Sequence, residues 1–329
     1  MRHITDPIDR RLLDEFQRDF PVTERPFKVL AATLGVDEAD VLDRLERMRA
    51  TGRITRVGAT IAPGAVSAST LAAVAATEER LEEIAALIDE EPGVNHNYQR
   101  EDEWNLWFVV TGPDRAHLDG TLARIGQRTG LQVLDLRLVR PFNVDLGFRM
   151  AGGSQGVPRP RRINRAALRE GDRALLQALS SGLSLVPDPY ADLARTMRRD
   201  GTALMERIGA LHAAGIISRL GVIVRHRALG WSANAMIVWD LPPEQVAAAG
   251  PVLAAHPGIT LCYERNPVEG LWPYRLYSMI HARSRNEARR VLSGAAALSE
   301  LQGARHKVLF STRCFKQTGA LIQPKEAAA

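Results

Sequence analysis

The chain has 329 residues, 45% hydrophobic and 25% charged, which fits a soluble globular protein with room for two domains or more. Its apolar runs are far shorter than the roughly 20 residues of a membrane span. The start, Met-Arg-His-Ile-Thr-Asp-Pro, has no apolar signal core, so a cytoplasmic protein without a membrane partner is expected. A net charge of +5, carried by arginine far more than lysine, suits nucleic acid or a small ligand bearing several carboxylates or phosphates.

Residues 8–18 read as an amphipathic helix, followed by helices over 26–34 and 37–50. Gly35 separates the second from the third, and Gly52 caps the third. A strand follows over 54–61, and the whole is a helix-turn-helix with a wing. The next segment alternates differently. A strand over 69–77 and a helix over 78–90 precede strands over 94–100 and 104–111. A helix over 114–129 and a strand over 131–139 complete the order βαββαβ, which is ferredoxin-like.

The pattern then repeats. A shift of about 163 positions aligns residues 9–58 with 172–221, and about 15 of those 50 pairs are identical. Copy two continues with segments over 234–239, 243–256, 259–265, 274–282, 284–297 and 305–310. A Gly/Pro/Arg linker joins the copies, and the tail from Pro324 is expected to be disordered. The expected fold is α+β, a tandem repeat of winged helix-turn-helix plus ferredoxin-like domain. Its boundaries are 1–62, 63–150, linker 151–165, 166–226, 227–320 and tail 321–329. This organisation resembles the Lrp/AsnC regulators over nearly the whole chain, twice.

The charges oppose a regulator. The first candidate DNA-reading helix opens Asp37-Glu38-Ala39-Asp40 and continues with Asp43 and Glu46, which would face a polyanion. Two unequal copies would also spoil the match to a palindromic site. Cys262 and Cys314 form no CxxC pair, which excludes a three-cysteine iron–sulfur motif and an all-cysteine zinc site within the chain. No disulfide is expected in a reducing compartment.

The unusual stretch is Pro92-Gly-Val-Asn-His-Asn-Tyr-Gln-Arg100, which returns as Pro257-Gly-Ile-Thr-Leu-Cys-Tyr-Glu-Arg265. Alternation places Val94, His96, Tyr98 and Arg100 on one strand face, and Ile259, Leu261, Tyr263 and Arg265 on its counterpart. Inward-facing His, Tyr and Arg are costly without partners, and a carboxylate-rich ligand supplies them. Trp104-Asn-Leu-Trp-Phe108 answers Tyr274-Arg-Leu-Tyr-Ser278, and these aromatics can cover a flat ring or form core. Arg140, Phe142 and Asn143 answer Arg313, Phe315 and Lys316.

His96-Asn-Tyr-Gln-Arg100, Trp104-Asn-Leu-Trp-Phe108 and Arg140-Pro-Phe-Asn-Val-Asp-Leu-Gly-Phe148 resemble the B-type half of the sirohaem decarboxylases. Cys262-Tyr-Glu-Arg265, Pro273-Tyr-Arg-Leu-Tyr277 and Phe310-Ser-Thr-Arg-Cys-Phe-Lys-Gln317 resemble further motifs of that family. The chain looks like a fused pair from the proteins that make haem d1 in denitrifiers. The resemblance implies a carboxy-lyase that removes two acetate carboxyl groups from sirohaem to give 12,18-didecarboxysirohaem. The macrocycle can serve as electron sink, so no cofactor is required and the iron comes with the substrate.

On this reading His96 is the proton donor, or else an axial ligand to the sirohaem iron. Tyr98 and Tyr263 donate protons or hold the reacting carboxyl. Arg100, Arg140, Arg265, Arg275, Arg313 and Lys316 are candidate carboxylate clamps, with Trp104, Asn143 and Tyr274 also toward substrate. Leu261 in place of His96 makes the two halves unequal, so one productive site per chain is expected. A haem- or sirohaem-sensing regulator and a non-catalytic subunit of a decarboxylase assembly are the alternatives. Expected partners are sirohaem and a second copy or other decarboxylase subunits; DNA is disfavoured.

Overall fold

The computed structural model describes residues 6–143 and 162–323. Residues 144–148 of the Arg140 motif, most of the linker and the tail from Pro324 lie outside the described residues. Copy one runs α1 (Pro7–Glu15), α2 (Pro26–Leu34), α3 (Glu38–Ala50), β1 (Ile54–Ile61), β2 (Ala68–Val74), α4 (Leu81–Glu90), β3 (Val94–Arg100), β4 (Leu106–Gly112), α5 (Arg115–Thr129) and β5 (Leu134–Asn143). Copy two runs α6 (Asp172–Ser181), α7 (Pro189–Thr196), α8 (Gly201–Ala213), β6 (Ile217–Val224), β7 (Ala233–Asp240), α9 (Pro243–Ala255), β8 (Ile259–Arg265), β9 (Leu276–Ala282), α10 (Arg285–Ala296) and β10 (Arg305–Gln317).

Local chemistry sets the helix ends. Asp6 accepts from the Ile8 and Asp9 amides at the start of α1, and Asp200 accepts from Ala203 at the start of α8. Gly35 ends α2 at φ 73°, the left-handed region that favours glycine. Each three-helix unit is tied by one arginine on its third helix. Arg44 meets Asp6, Asp9 and Asp40, and Arg207 meets Asp172, the repeat counterpart of Asp9.

The two winged helix units share one hydrophobic core that includes Leu12, Leu45, Leu175 and Ile208. Their wings pair antiparallel, β1 with β6, and Gly58 sits opposite Gly221 at the centre. Each unit also reaches across the join. The Val222 amide donates to the Phe16 carbonyl, and the Leu183 amide donates to the Val57 carbonyl. The residues at 321–323, expected as tail, join this layer: Ile322 is buried and its amide donates to Gln177.

The two ferredoxin-like sheets meet edge to edge, forming one closed barrel in the order β10-β3-β4-β2-β5-β8-β9-β7. The seams are β5 with β8 and β10 with β3. Both strands that cross run past their expected ends at residues 139 and 310, to Asn143 and Gln317. Their continuations are largely polar and pair with the other half, so no local alternation marks them. Phe142 packs against Gly250 of α9 in the second half, and Phe315 packs on the first-half helix core. The helices α4, α5, α9 and α10 cover the barrel from outside.

The β1–β6 crossing permits no side chain. A Cβ on Gly58 would lie 2.5 Å from the Leu179 carbonyl oxygen, and one on Gly221 would strike the Gln17 carbonyl. These neighbours are backbone and cannot swing away. Gly58→Ala is therefore expected to destabilise the fold by about 1–3 kcal/mol. A lowered urea midpoint at unchanged slope would report it; an unchanged midpoint would show that the crossing has slack.

Candidate functional site

The barrel lumen holds a cavity of about 630 Å³, within the range of small-molecule sites. One end is sealed by Trp107 and Trp272, whose rings lie 5.2 Å apart, with Trp272 Nε1 donating to the Tyr277 hydroxyl at 2.8 Å. The other end, the mouth, lies beneath the winged helix layer and is bordered by Thr51, Gly52, Pro63 and residues 225–228, of which Arg225 and Ala228 are exposed.

The repeated strand faces this lumen from both sides. His96, Tyr98 and Arg100 line it from β3, and Leu261, Tyr263 and Arg265 from β8. Val94 and Ile259 do not join them, contrary to simple alternation. A register shift between Val94 and His96, and another between Ile259 and Leu261, turns both residues into the helix-side cores. Cys262 and Asn97 also point to the helix side, where Cys262 Sγ contacts the Gly250 carbonyl and Asn97 Nδ2 donates to the Ala85 carbonyl.

The charge of the cavity has one sign. Arg100, Arg225, Arg227 and Arg265 line it, and among its described lining residues none is Asp or Glu. Arg100 donates to the Leu309 carbonyl at 3.2 Å and Arg265 to the Leu136 carbonyl at 2.7 Å. The Nε of each has no hydrogen-bond partner among the described residues. Burial pulls the Arg100 guanidinium down to about 10, so it remains charged at neutral pH. Each arginine also lies over its tyrosine, Arg100 at 5.8 Å from Tyr98 and Arg265 at 4.8 Å from Tyr263.

The titrating groups are held neutral. Burial, with Arg56 nearby, lowers His96 to about 4, which displaces the near-neutral titration expected from sequence. Its Nδ1 has no hydrogen-bond partner among the described residues. Burial raises Tyr98 and Tyr263, which keeps both phenols protonated. Burial lowers His281 to about 3. Thr260 donates its hydroxyl proton to the Met279 carbonyl and so accepts from His281 Nδ1 at 2.7 Å, which leaves Nε2 of the neutral ring without a proton.

The AsnC-like ligand binding domain family matches residues 66–143 and 228–316. The sirohaem decarboxylase NirDL-like helix-turn-helix family matches residues 9–54 and 172–217. The sirohaem decarboxylase NirDL subunit of Paracoccus denitrificans is 54% identical over 96% of this chain and 98% of its own. This chain belongs to the sirohaem decarboxylase NirDL family. The corresponding subunit of Paracoccus pantotrophus is 53% identical over 96% of this chain and 98% of its own. A crystal structure of a sirohaem decarboxylase NirDL in complex with an iron-uroporphyrin III analogue superposes with a TM-score of 0.63 at 25% identity, covering 93% of this chain and 91% of that one.

Within the sirohaem decarboxylase fold, the expected site residues divide into two groups. His96, Tyr98, Arg100, Tyr263 and Arg265 meet in the lumen. The others stand outside the cavity lining. Arg140 pairs with Glu264 at 2.7 Å, and Arg313 pairs with Glu82 on the outer surface. Lys316 donates to the Asp89 and Glu91 carbonyls, and Asn143 to the Thr260 carbonyl, so both fasten seams. Trp104 and Tyr274 pack with the barrel-end cluster. Arg275 lends its backbone, donating to Trp239 and accepting from Arg265. For Arg140, Asn143, Arg313 and Lys316 the position follows from the crossing strands, whose alternate residues past 139 and 310 turn away from the lumen, while Ser311, Cys314 and Gln317 still line it.

Sequence reasoning missed His226, His281, Asn234, Arg225, Arg227 and Cys314, all of which line the cavity. His281 was readable, since it shares alternation with Tyr277 and Met279 along β9. Cys314 meets the Tyr98 hydroxyl across the β10–β3 seam, which no local pattern announces.

The lowered histidines carry a sign for stability. The unfolded chain takes up protons near the ordinary value of 6.5, whereas folded His96 and His281 resist until about 4 and about 3. Stability of the purified protein without added ligand is therefore expected to fall as pH drops from about 6.5 toward 4. Urea midpoints across that window check this, and His96→Gln should shrink the fall. A flat profile would show that His96 is not shielded.

Proposed function

We propose that this chain binds sirohaem in the barrel lumen and removes acetate carboxyl groups from it as carbon dioxide, a carbon–carbon lyase reaction. The observation that carries the reading is a ligand-sized cavity lined by four arginines and no carboxylate, in a member of this family. Many arginines elsewhere pair with carboxylates of the protein, as in Arg25–Glu38, Arg115–Asp135 and Arg285–Glu101. Those in the lumen await anions from the ligand.

Arg100 and Arg265 hold substrate carboxylates from opposite sides. The scissile bond joins the arm carbon to its carboxyl carbon. When it breaks, the electron pair stays on the arm carbon and spreads into the conjugated ring, carbon dioxide leaves, and a proton completes a methyl group. Repeated at a second arm, this gives 12,18-didecarboxysirohaem. His96 and Tyr98 stand together for the proton transfer, their rings 6.2 Å apart. Bound carboxylates oppose the effect of burial and raise His96 back toward the range where it donates. The protein needs no cofactor of its own on this reading, because the macrocycle takes up the electron pair.

The regulator alternative fares poorly. Helix α3 opens on Glu38 and Asp40, and its arginines Arg44, Arg47 and Arg49 are each paired with nearby carboxylates. Anaerobic incubation of the purified protein with sirohaem, followed by mass analysis, is expected to show loss of two carbon dioxide units and one bound tetrapyrrole per chain. His96→Ala should slow the reaction about 10²–10⁴-fold with binding retained. Binding without mass loss by the unaltered chain would favour a sensor or a subunit that needs others.

A further inference from the structure

The two linkers that lead from wing to barrel both reach the cavity, with different chemistry. After β1 the chain reads Ala62-Pro63-Gly64; after β6 it reads Arg225-His226-Arg227. Both wings are eight residues long, so the repeat sets these triplets against each other without a gap. Pro63 and His226 occupy equivalent places in the lining. One half thus brings an uncharged linker to the cavity mouth, and the other brings two cations.

The Arg227 side chain is fixed without being neutralised, and Arg225 is anchored through its backbone. The Arg227 guanidinium donates to the Ser311 and Thr312 carbonyls at 3.0 and 2.9 Å. The Arg225 backbone amide donates to the Arg53 carbonyl, and its side chain is exposed beside Gly52. Neither is paired with a carboxylate among the described residues.

The lumen below is two-sided as well. The contiguous strands β7, β10 and β3 present Asn234, Ser311, Cys314 and His96, and Arg227 is bonded to this wall. The contiguous strands β4, β2, β5 and β8 present Val109, Leu71, Leu138 and Leu261 beside Ser69 and Arg265, so Leu138 and Leu261 stand where the other wall has Ser311 and His96. We propose that Arg225 and Arg227 form a carboxylate clamp at the mouth which, supplied by the second half alone, fixes one orientation of the tetrapyrrole. The clamp rests on the proposed function and adds to it the residues that set orientation.

The test is an absorbance titration of the full chain with sirohaem, with ferric uroporphyrin as an octacarboxylate probe and with ferric coproporphyrin as a tetracarboxylate probe. The unaltered chain is expected to prefer the octacarboxylate. Arg225→Gln/Arg227→Gln should lose about 10–100-fold in affinity for it, and less for the tetracarboxylate, so discrimination collapses. Arg227→Lys, which keeps the charge, should retain most of the preference. In a single turnover the unaltered chain should yield one monodecarboxylated regioisomer and the double variant a mixture. An unchanged affinity ratio and an unchanged regioisomer would overturn the clamp and leave the proposed function standing. Equal loss for both probes with a lowered thermal midpoint would assign Arg227 a structural role and also overturn it. Failure of the unaltered chain to bind sirohaem would overturn the proposed function itself.

Discussion

The closed barrel depends on two strands that leave their own half. β5 ends on β8, and β10 ends on β3, so neither ferredoxin-like sheet keeps a free edge at the seam. Exposed edges invite pairing with other chains, and closure removes them. The same exchange makes the lumen, because only a closed sheet sets Tyr98 and Arg100 across from Tyr263 and Arg265. It also assigns the seam residues. Arg140, Asn143, Lys316 and Phe142 are each engaged in joining halves, through Glu264, the Thr260 carbonyl, the Asp89 carbonyl and Gly250 respectively.

The price of such a lumen is electrostatic. Arg100 is almost wholly buried, and its guanidinium is met by a backbone carbonyl and an aromatic face rather than by a carboxylate. A buried cation with an unfilled donor costs stability unless a ligand supplies the counter-charge. Burial likewise pushes His96 and His281 toward the neutral form and Tyr98 toward the phenol. All of these shifts share one cause, desolvation in a cavity without anions. A bound polycarboxylate would oppose the penalty on every one of the cations at once, so on the proposed function the ligand's own carboxylates would supply the counter-charge that the lining lacks.

Much of this was legible in sequence, and the boundary of legibility is physical. The tandem repeat, the three helices with a wing, and the βαββαβ order all follow from local periodicity and glycine placement, as Gly35 shows. The inward faces of β3 and β8 were readable from alternation, except at Val94 and Ile259, where a bulge breaks the period and sequence carries no mark of it. Arg140, Arg313 and Lys316 looked like ligand clamps because a cation beside an aromatic reads the same at a seam as at a site. Their carboxylate and carbonyl partners come from the other half or from a distant helix, and one-dimensional pattern does not report partners. Arg225 and Arg227 were passed over for the opposite reason: a basic triplet after a wing looks like solvated surface until the roof over the barrel is built.

The unequal halves follow from where the cavity lies. It sits on the approximate two-fold that relates the copies, so any residue lining it has a counterpart across the axis. Two identical copies would present a symmetric site, and a ligand with unlike edges would bind it in two equivalent orientations. Joining two copies in one chain lets each counterpart differ. His96 faces Leu261, Ser311 takes the place of Leu138, and Arg225-His226-Arg227 replaces Ala62-Pro63-Gly64, whereas Tyr98, Arg100, Tyr263 and Arg265 keep the symmetry. On the proposed function the Tyr–Arg pair kept in both copies would grip what both edges of the ligand share, and the divergent positions would distinguish them. The winged helix layer takes part in this division. At its β1–β6 crossing Gly58 and Gly221 lie close against the Leu179 and Gln17 carbonyls, and the linkers that follow lead from this paired ribbon to the cavity mouth. The paired winged helix units hold two unlike linkers over one barrel, which gives the asymmetry of those linkers a defined direction.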